Sequence, residues 1–226
     1  MIVMKPVVEL KNVSKKYKMD DVEVQALYNI NLKIKSEEFV SIIGPSGSGK
    51  STMLHIMGCL DRPTTGHVFI DGINTSELSD NELAKIRGSK IGFVFQTFNL
   101  INRLTALENV MLPMWFNNVP KEQRKKRAQQ LLKEVGLEKR MLHTPNQLSG
   151  GERQKVAIAR ALANDPAIIL ADEPTGNLDT KSGKEILKIF EKLNKRGRTI
   201  VIITHDLNIA RVSEKIIHIM DGRLVS

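Results

Sequence analysis

Apolar and polar residues alternate along residues 7–17 and again along 22–34, the period-two pattern of half-buried antiparallel strands. Residues 67–71 run into Asp71-Gly72 and predict a further strand closed by a turn. From Phe39 the pattern changes. Four short runs, at 39–43, 91–95, 167–171 and 199–203, are almost continuously apolar and rich in β-branched residues. Runs of this kind suit a parallel sheet buried on both faces. Each is followed by polar residues and then a helical pattern. Between the second and third runs, residues 96–164 read mainly helical and are too long for a simple crossover. The pattern predicts one α/β domain over 1–226. Its core, at about 1–95 and 165–226, carries an N-terminal antiparallel β subdomain, and an α-helical subdomain is inserted at about 96–164.

Composition adds limits. Apolar residues make up 41% of the chain but aromatics only 4%, so the core must be mostly aliphatic. The net charge of +9 favours anionic partners. The densest charge run, 121–127, is followed by Ala128, Leu131, Leu132 and Val135 at helical spacing, which makes its charges the solvated face of an amphipathic helix. No aromatic residues interleave with it as a base-stacking surface requires, so direct nucleic-acid binding is not expected. The single cysteine, Cys59, sits among apolar residues and reads as a buried thiol, permitting a reducing compartment. No apolar stretch is long enough for a membrane span and no signal-peptide core precedes the first strand, which predicts a soluble, cytoplasmic chain.

The chemistry begins directly after the first buried run. Gly44, Pro45, Ser46, Gly47, Ser48, Gly49, Lys50 and Ser51 form the G-x-x-x-x-G-K-[ST] phosphate loop between a strand and a helix at 51–57. The glycines let backbone N–H groups approach phosphate oxygens, and the helix adds the positive end of its dipole. Lys50 can place a cation between the β- and γ-phosphates, and Ser51 can offer a hydroxyl to Mg²⁺. In open parallel sheets ligands bind beyond the carboxyl ends of the strands. The other three runs deliver Gln96, Asp172-Glu173 and His205 to that edge. Asp172 suits the outer shell of Mg²⁺, and Glu173 can polarise a water for attack on the γ-phosphate. His205 can contact the γ-phosphate and hold that water, and Gln96 can reach Mg²⁺ or the water. Residues 148–152, Leu-Ser-Gly-Gly-Glu, make a second anion-binding helix start.

Together these segments resemble the ATPase subunit of ATP-binding cassette (ABC) transporters, over nearly the whole chain. The resemblance implies a P-loop NTPase core. It matches Tyr17 to the aromatic that stacks on adenine, 44–51 with Thr52 to Walker A, and Gln96 to the Q-loop. Leu148, Ser149, Gly150, Gly151 and Glu152 match the signature, and 168–172 match Walker B. Glu173 matches the catalytic glutamate, Asn177-Leu178-Asp179 the D-loop and His205 the switch histidine. It further implies ATP and Mg²⁺ as cofactors and a head-to-tail dimer of two copies in which the signature of one closes over the nucleotide of the other. A separate permease would hold the dimer on the cytoplasmic face of the membrane.

Residues 95–101 and 104–110 are similar to the branch containing lipoprotein-release and macrolide-export ATPases. Cell-division and amino-acid-import branches, or a nucleic-acid-associated ABC ATPase, are the alternatives. The apolar stretch Met111, Leu112, Met114, Trp115 and Phe116 is core by burial tendency, or else a permease-docking surface.

Overall fold

The computed structural model describes residues 6–19 and 22–225. In chain order the elements are β1 (Pro6–Met19), β2 (Val22–Lys35), β3 (Phe39–Ile43), α1 (Lys50–Met57), β4 (Thr65–Ile70) and β5 (Ile73–Asn74). Next come α2 (Asp80–Lys90), β6 (Ile91–Val94), α3 (Ala106–Phe116), α4 (Lys121–Glu134), α5 (Gly150–Ala161) and β7 (Ile168–Asp172). The chain ends with α6 (Thr180–Asn194), β8 (Thr199–Thr204), α7 (Leu207–Ala210), β9 (Lys215–Met220) and β10 (Arg223–Val225).

Two sheets result. The antiparallel one has the order β2-β1-β4-β5, and the other has the order β10-β9-β3-β8-β7-β6. In the second sheet β9, β3, β8, β7 and β6 run parallel, and β10 closes one edge antiparallel. The four runs read as buried parallel strands are therefore neighbours, β3-β8-β7-β6.

Because side chains alternate across a strand, each parallel strand feeds two cores. Val40, Ile42, Ile168, Leu170, Val201 and Ile203 join the cluster that holds Met53, Leu54, Ile56 and Met57 of α1 and the inner face of the antiparallel sheet. Phe39, Ile169, Ala171, Ile200 and Ile202 point the other way, onto Val156 and Ile158 of α5 and Ile186 and Phe190 of α6. Helix α1 is thus covered on both sides, and its N-terminus is pinned at the carboxyl end of β3. Ala128, Leu131 and Leu132 of α4 are buried beneath its exposed charged face, as their spacing predicts. Cys59 is buried.

Several elements differ from the sequence reading. β4 begins at Thr65, and Asp71 lies in the turn that leads to β5 with φ 49°. Helix α1 starts at Lys50 and α5 at Gly150, each earlier than the apolar periodicity indicates, because loop glycines already take helical or capping geometry. Trp115 and Phe116 are not core: they are 59% and 71% exposed. The buried stripe of α3 runs through Ala106, Leu107, Val110 and Met114, and the last two residues fall beyond it as the helix ends at Asn117.

Candidate functional site

The register places the carboxyl ends of the parallel strands in one row. Ile43 pairs with Thr204, Asp172 with Ile203, and Ala171 with Val94. The phosphate loop, His205, Asp172-Glu173 and Gln96 follow from these neighbouring ends, as expected.

In the loop, Gly47 and Gly49 have φ of 79° and 99°, the left-handed region where an ordinary side chain is strained. Gly49 is the N-cap of α1, and no side chain caps this helix. The first turn of α1 therefore offers unpaired N–H groups. Lys50 is only 9% exposed, and its Nζ donates to the carbonyls of Gly44 (2.8 Å) and Pro45 (2.7 Å). A cation is thereby held across the mouth of the loop by two neutral acceptors, an arrangement that an anion between them would complete. Ser51 and Pro45 to Gly47 are exposed, while Thr52 is half-buried. The Ser48 hydroxyl is buried and has no partner among the described residues.

Asp172 ends β7 half-buried. Burial is the main cause that raises its carboxyl above the usual range, the nearby Glu173 adds to it, and His55 and Lys50 oppose it. Burial with only partial compensation suits a carboxylate that meets a cation. Glu173 follows with φ 43°, and its N–H donates to the Ile203 carbonyl on β8. This turn carries the carboxylate toward the next strand end. Oε2 accepts from the Thr204 hydroxyl at 3.0 Å, and Oε1 accepts from His205 N–H at 3.0 Å. His205 Nδ1 lies 2.6 Å from the same Oε1, so Nδ1 carries the proton, because a carboxylate can only accept. Gln96 Nε2 donates to Asn177 Oδ1 at 3.3 Å, and Asn177 Nδ2 donates back to the Gln96 carbonyl at 3.1 Å. The Gln96 amide oxygen has no hydrogen bond among the described residues.

Tyr17 stands on β1. Its hydroxyl donates to Asp61 Oδ2 at 2.7 Å, and Lys15 Nζ donates to Asp61 Oδ1 at 2.6 Å. Burial tends to raise the Asp61 carboxyl, but the bonds from Lys15 and Tyr17 outweigh it and hold it below the usual range. The phenol itself is pushed up, first by burial and then by Asp61.

Residues 148–152 stand apart. No hydrogen bond or ion pair among the described residues joins them to 44–52. Ser149 caps α5, its hydroxyl accepting from Glu152 N–H at 3.2 Å while Glu152 Oε2 accepts from Ser149 N–H at 2.9 Å. Glu152 also takes Arg140 Nε at 3.0 Å. The Ser149 N–H, ahead of Arg140, holds the Glu152 carboxyl low. Gly150 and Gly151 lie against Leu178 and Ser182, and Asp179 caps α6 through Lys181 and Ser182 N–H. The signature segment thus packs on the 177–179 turn of its own chain.

Thr204 and His55 enter the site without a sequence prediction. Thr204 had a signal, a polar residue closing an apolar run just before His205. His55 and Asp61 had none, since only the fold brings them near Asp172 and Tyr17.

A strand row that gathers a phosphate loop, two acidic residues, an amide and a histidine defines a nucleotide-hydrolysing cassette. The comparisons agree. Residues 27–176 match the ABC transporter family. An uncharacterized ABC transporter ATP-binding protein of Thermotoga maritima is 58% identical over 221 residues, covering 98% of this chain and 94% of its own. The macrolide export ATP-binding/permease protein MacB of Escherichia coli is 50% identical over 223 residues, covering 99% of this chain and 34% of MacB. Among solved structures, the dimeric, post-hydrolysis ATP-binding cassette MJ0796 bound to ADP and Pi superposes with TM-score 0.89 at 58% identity, covering 97% of each chain. MJ0796 comes from Methanocaldococcus jannaschii. The chain belongs to the ABC transporter family. Within it, the chain is an ATP-binding cassette, an ATPase.

Proposed function

We propose that this chain is one half of an ATP-dependent, head-to-tail dimer that drives a separate membrane permease of the lipoprotein-release or macrolide-export type. The observation that carries the dimer is the exposed Ser149 at the start of α5, capped from within its own chain and unlinked to its own phosphate loop. A helix N-terminus is an anion site, and in this reading it serves a nucleotide held by another copy. The dimeric MJ0796 cassette and the permease-fused MacB support the reading.

In this assignment the cassette is a single domain over 1–226, with 96–164 as the helical subdomain that carries the signature. Tyr17 stacks on the adenine. The backbone of 44–52 and Lys50 hold the phosphates, while Ser149, Gly150, Gly151 and Glu152 close from the second copy, with Asp179 beside them. Glu173 takes the proton of the attacking water, and His205 keeps Glu173 oriented and faces the γ-phosphate. Stabilisation of the charge spread over the transferring phosphoryl comes from Lys50, the loop N–H groups and the partner helix.

The donor set also suits Mg²⁺. The Ser51 hydroxyl, the Gln96 amide oxygen and the Asp172 carboxylate offer only oxygen, as this hard cation prefers, and the raised Asp172 carboxyl lacks a full counter-charge. Bound there, the ion would neutralise phosphate charge. No described helix is long and apolar enough to cross a membrane. In this reading the permease is a separate protein, and the chain sits on its cytoplasmic side. Trp115 and Phe116, exposed and 5.5 Å apart between ring centroids, mark the docking side together with Met111 and Leu112.

The test is the Glu173→Gln variant on a sizing column. With ATP it should run as a dimer and without ATP as a monomer. A variant that remains monomeric with saturating ATP would sink the head-to-tail assignment.

A further inference from the structure

The phosphate loop is fastened to the C-terminal hairpin. Gly222, in the turn between β9 and β10, donates its N–H to the Ser48 carbonyl at 3.0 Å, and its own carbonyl accepts from Tyr28 N–H at 2.8 Å. Gly222 has φ 72°, and a Cβ there would meet the Ala26 carbonyl oxygen at 2.7 Å. The same oxygen would lie 2.5 Å from a Cβ on Gly49. At the start of the loop, a Cβ on Gly44 would fall 2.1 Å from the Ile219 carbonyl oxygen. Backbone of β2 and of the β9–β10 hairpin therefore clasps the loop at both ends, so closely that no side chain fits between.

The clasp has a direction. The chain has no cis peptide among its described residues, and in a trans peptide the C=O and N–H point opposite ways. Drawing the Ser48 carbonyl onto Gly222 turns the Gly49 N–H away from the hairpin. That N–H has no hydrogen bond among the described residues, and it is one of the donors a phosphate loop can present to an anion. On the outer surface a side-chain pair ties the same two elements. The Arg223 guanidinium carbon lies 3.6 Å from the ring centroid of Tyr28, which is 46% exposed.

We propose that the β9–β10 hairpin is a positioning element for the nucleotide: Gly222, secured by the Arg223–Tyr28 pair, orients the Ser48–Gly49 peptide and thereby sets nucleotide affinity. The proposal rests on residues 44–51 being the nucleotide cradle. Tyr28, Gly222 and Arg223 act through the loop, so they are positioning residues and not catalytic ones.

The experiment measures the Kd for a fluorescent ATP analogue, KM and kcat, and the Tm without nucleotide, in the full chain. Gly222→Ala should raise Kd and KM about tenfold, because a displaced peptide donor misaligns the phosphates. Arg223→Ala and Tyr28→Ala should each raise Kd about threefold, the size of an exposed cation–π contact, with kcat within about twofold of the parent. The double variant should be no weaker than either single one, and Tyr28→Phe, which keeps the ring, should restore parent affinity.

A folded Gly222→Ala with unchanged Kd would overturn the proposal, as would a lowered Tm with no rise in Kd. If Gly222→Ala does not fold, the Tyr28–Arg223 cycle decides, and additive or absent effects on Kd overturn it. Lys50→Ala separates the two readings. If it still binds nucleotide normally, the cradle assignment falls and the clasp with it; if it loses binding while Gly222→Ala and the cycle do nothing, only the clasp falls.

Discussion

Two glycine-bearing helix starts divide the work of this molecule, and they are built in opposite ways. At α1 the N-cap is Gly49 in the left-handed region, with no side chain to satisfy the first-turn N–H groups. At α5 the N-cap is Ser149, closed by a reciprocal capping box with Glu152. A cap of the second kind is worth about 1 kcal/mol, and α1 forgoes it. Helix α1 can do so because it is buried between the two sheets, with Met53, Leu54, Ile56 and Met57 packed in one core. Its unpaired donors and the enclosed Lys50 are arranged for a ligand. The start of α5 already has two of its backbone donors satisfied within the chain, and Ser149 there is exposed. The loop half of the site waits for an anion, and the signature half is a stable surface to be brought to one.

The contrast is sharpest in the response to substitution. Lys50→Ala removes the cation enclosed by the loop and should lower ATP turnover by about a hundredfold or more, measured as phosphate release. It should leave the α5 start unaffected. Turnover near the parent level would mean that the loop half is not the catalytic one.

Asp172→Asn should also lower turnover, by at least about tenfold, yet raise the Tm of the nucleotide-free protein by about 1–3 °C. The gain is expected because a poorly compensated carboxylate beside Glu173 becomes neutral. A fall in Tm would show that Asp172 is instead a structural anchor.

Glu152→Gln touches only the signature half and should cost less than about 1 kcal/mol in denaturant unfolding, since an amide can keep the capping box. Its pH dependence carries the sign. The Glu152 carboxyl is held low in the folded state, so its contribution is fully present above the ordinary carboxylate range and is lost as the pH falls through the lowered value. The variant should lose less stability than the parent over that acid window. Equal losses would remove Glu152 from the cap.

Much of this was legible in the chain. The four buried runs and their polar endings gave the parallel core and its loaded edge, because continuous apolar strands and a phosphate loop are local signals. The helix start at 148–152 was readable from Ser149 and its two glycines, while the reciprocal box with Glu152 emerged only in the structure. Trp115 and Phe116 were not placed correctly by apolar content alone, since helix phase and not hydrophobicity decides which residues of α3 face inward. The clasp on the loop was out of reach. It joins Ala26, Tyr28 and Gly222 to Ser48 and Gly49 through backbone atoms, and backbone contacts between distant segments leave no residue-type pattern. The strands β9 and β10 are short and mixed in burial, so nothing marked them as neighbours of the loop.

The central claim is that Ser149 and its glycines act on a nucleotide held by a second copy. The direct measurement is the Ser149→Arg substitution in the Glu173→Gln background, followed by sizing with ATP and by ATP titration of the monomer. The account predicts that the ATP-dependent dimer is lost while the monomer binds ATP within about twofold of its parent, because the arginine intrudes at a surface remote from its own loop. A dimer that persists, or a monomer that no longer binds ATP, would contradict it.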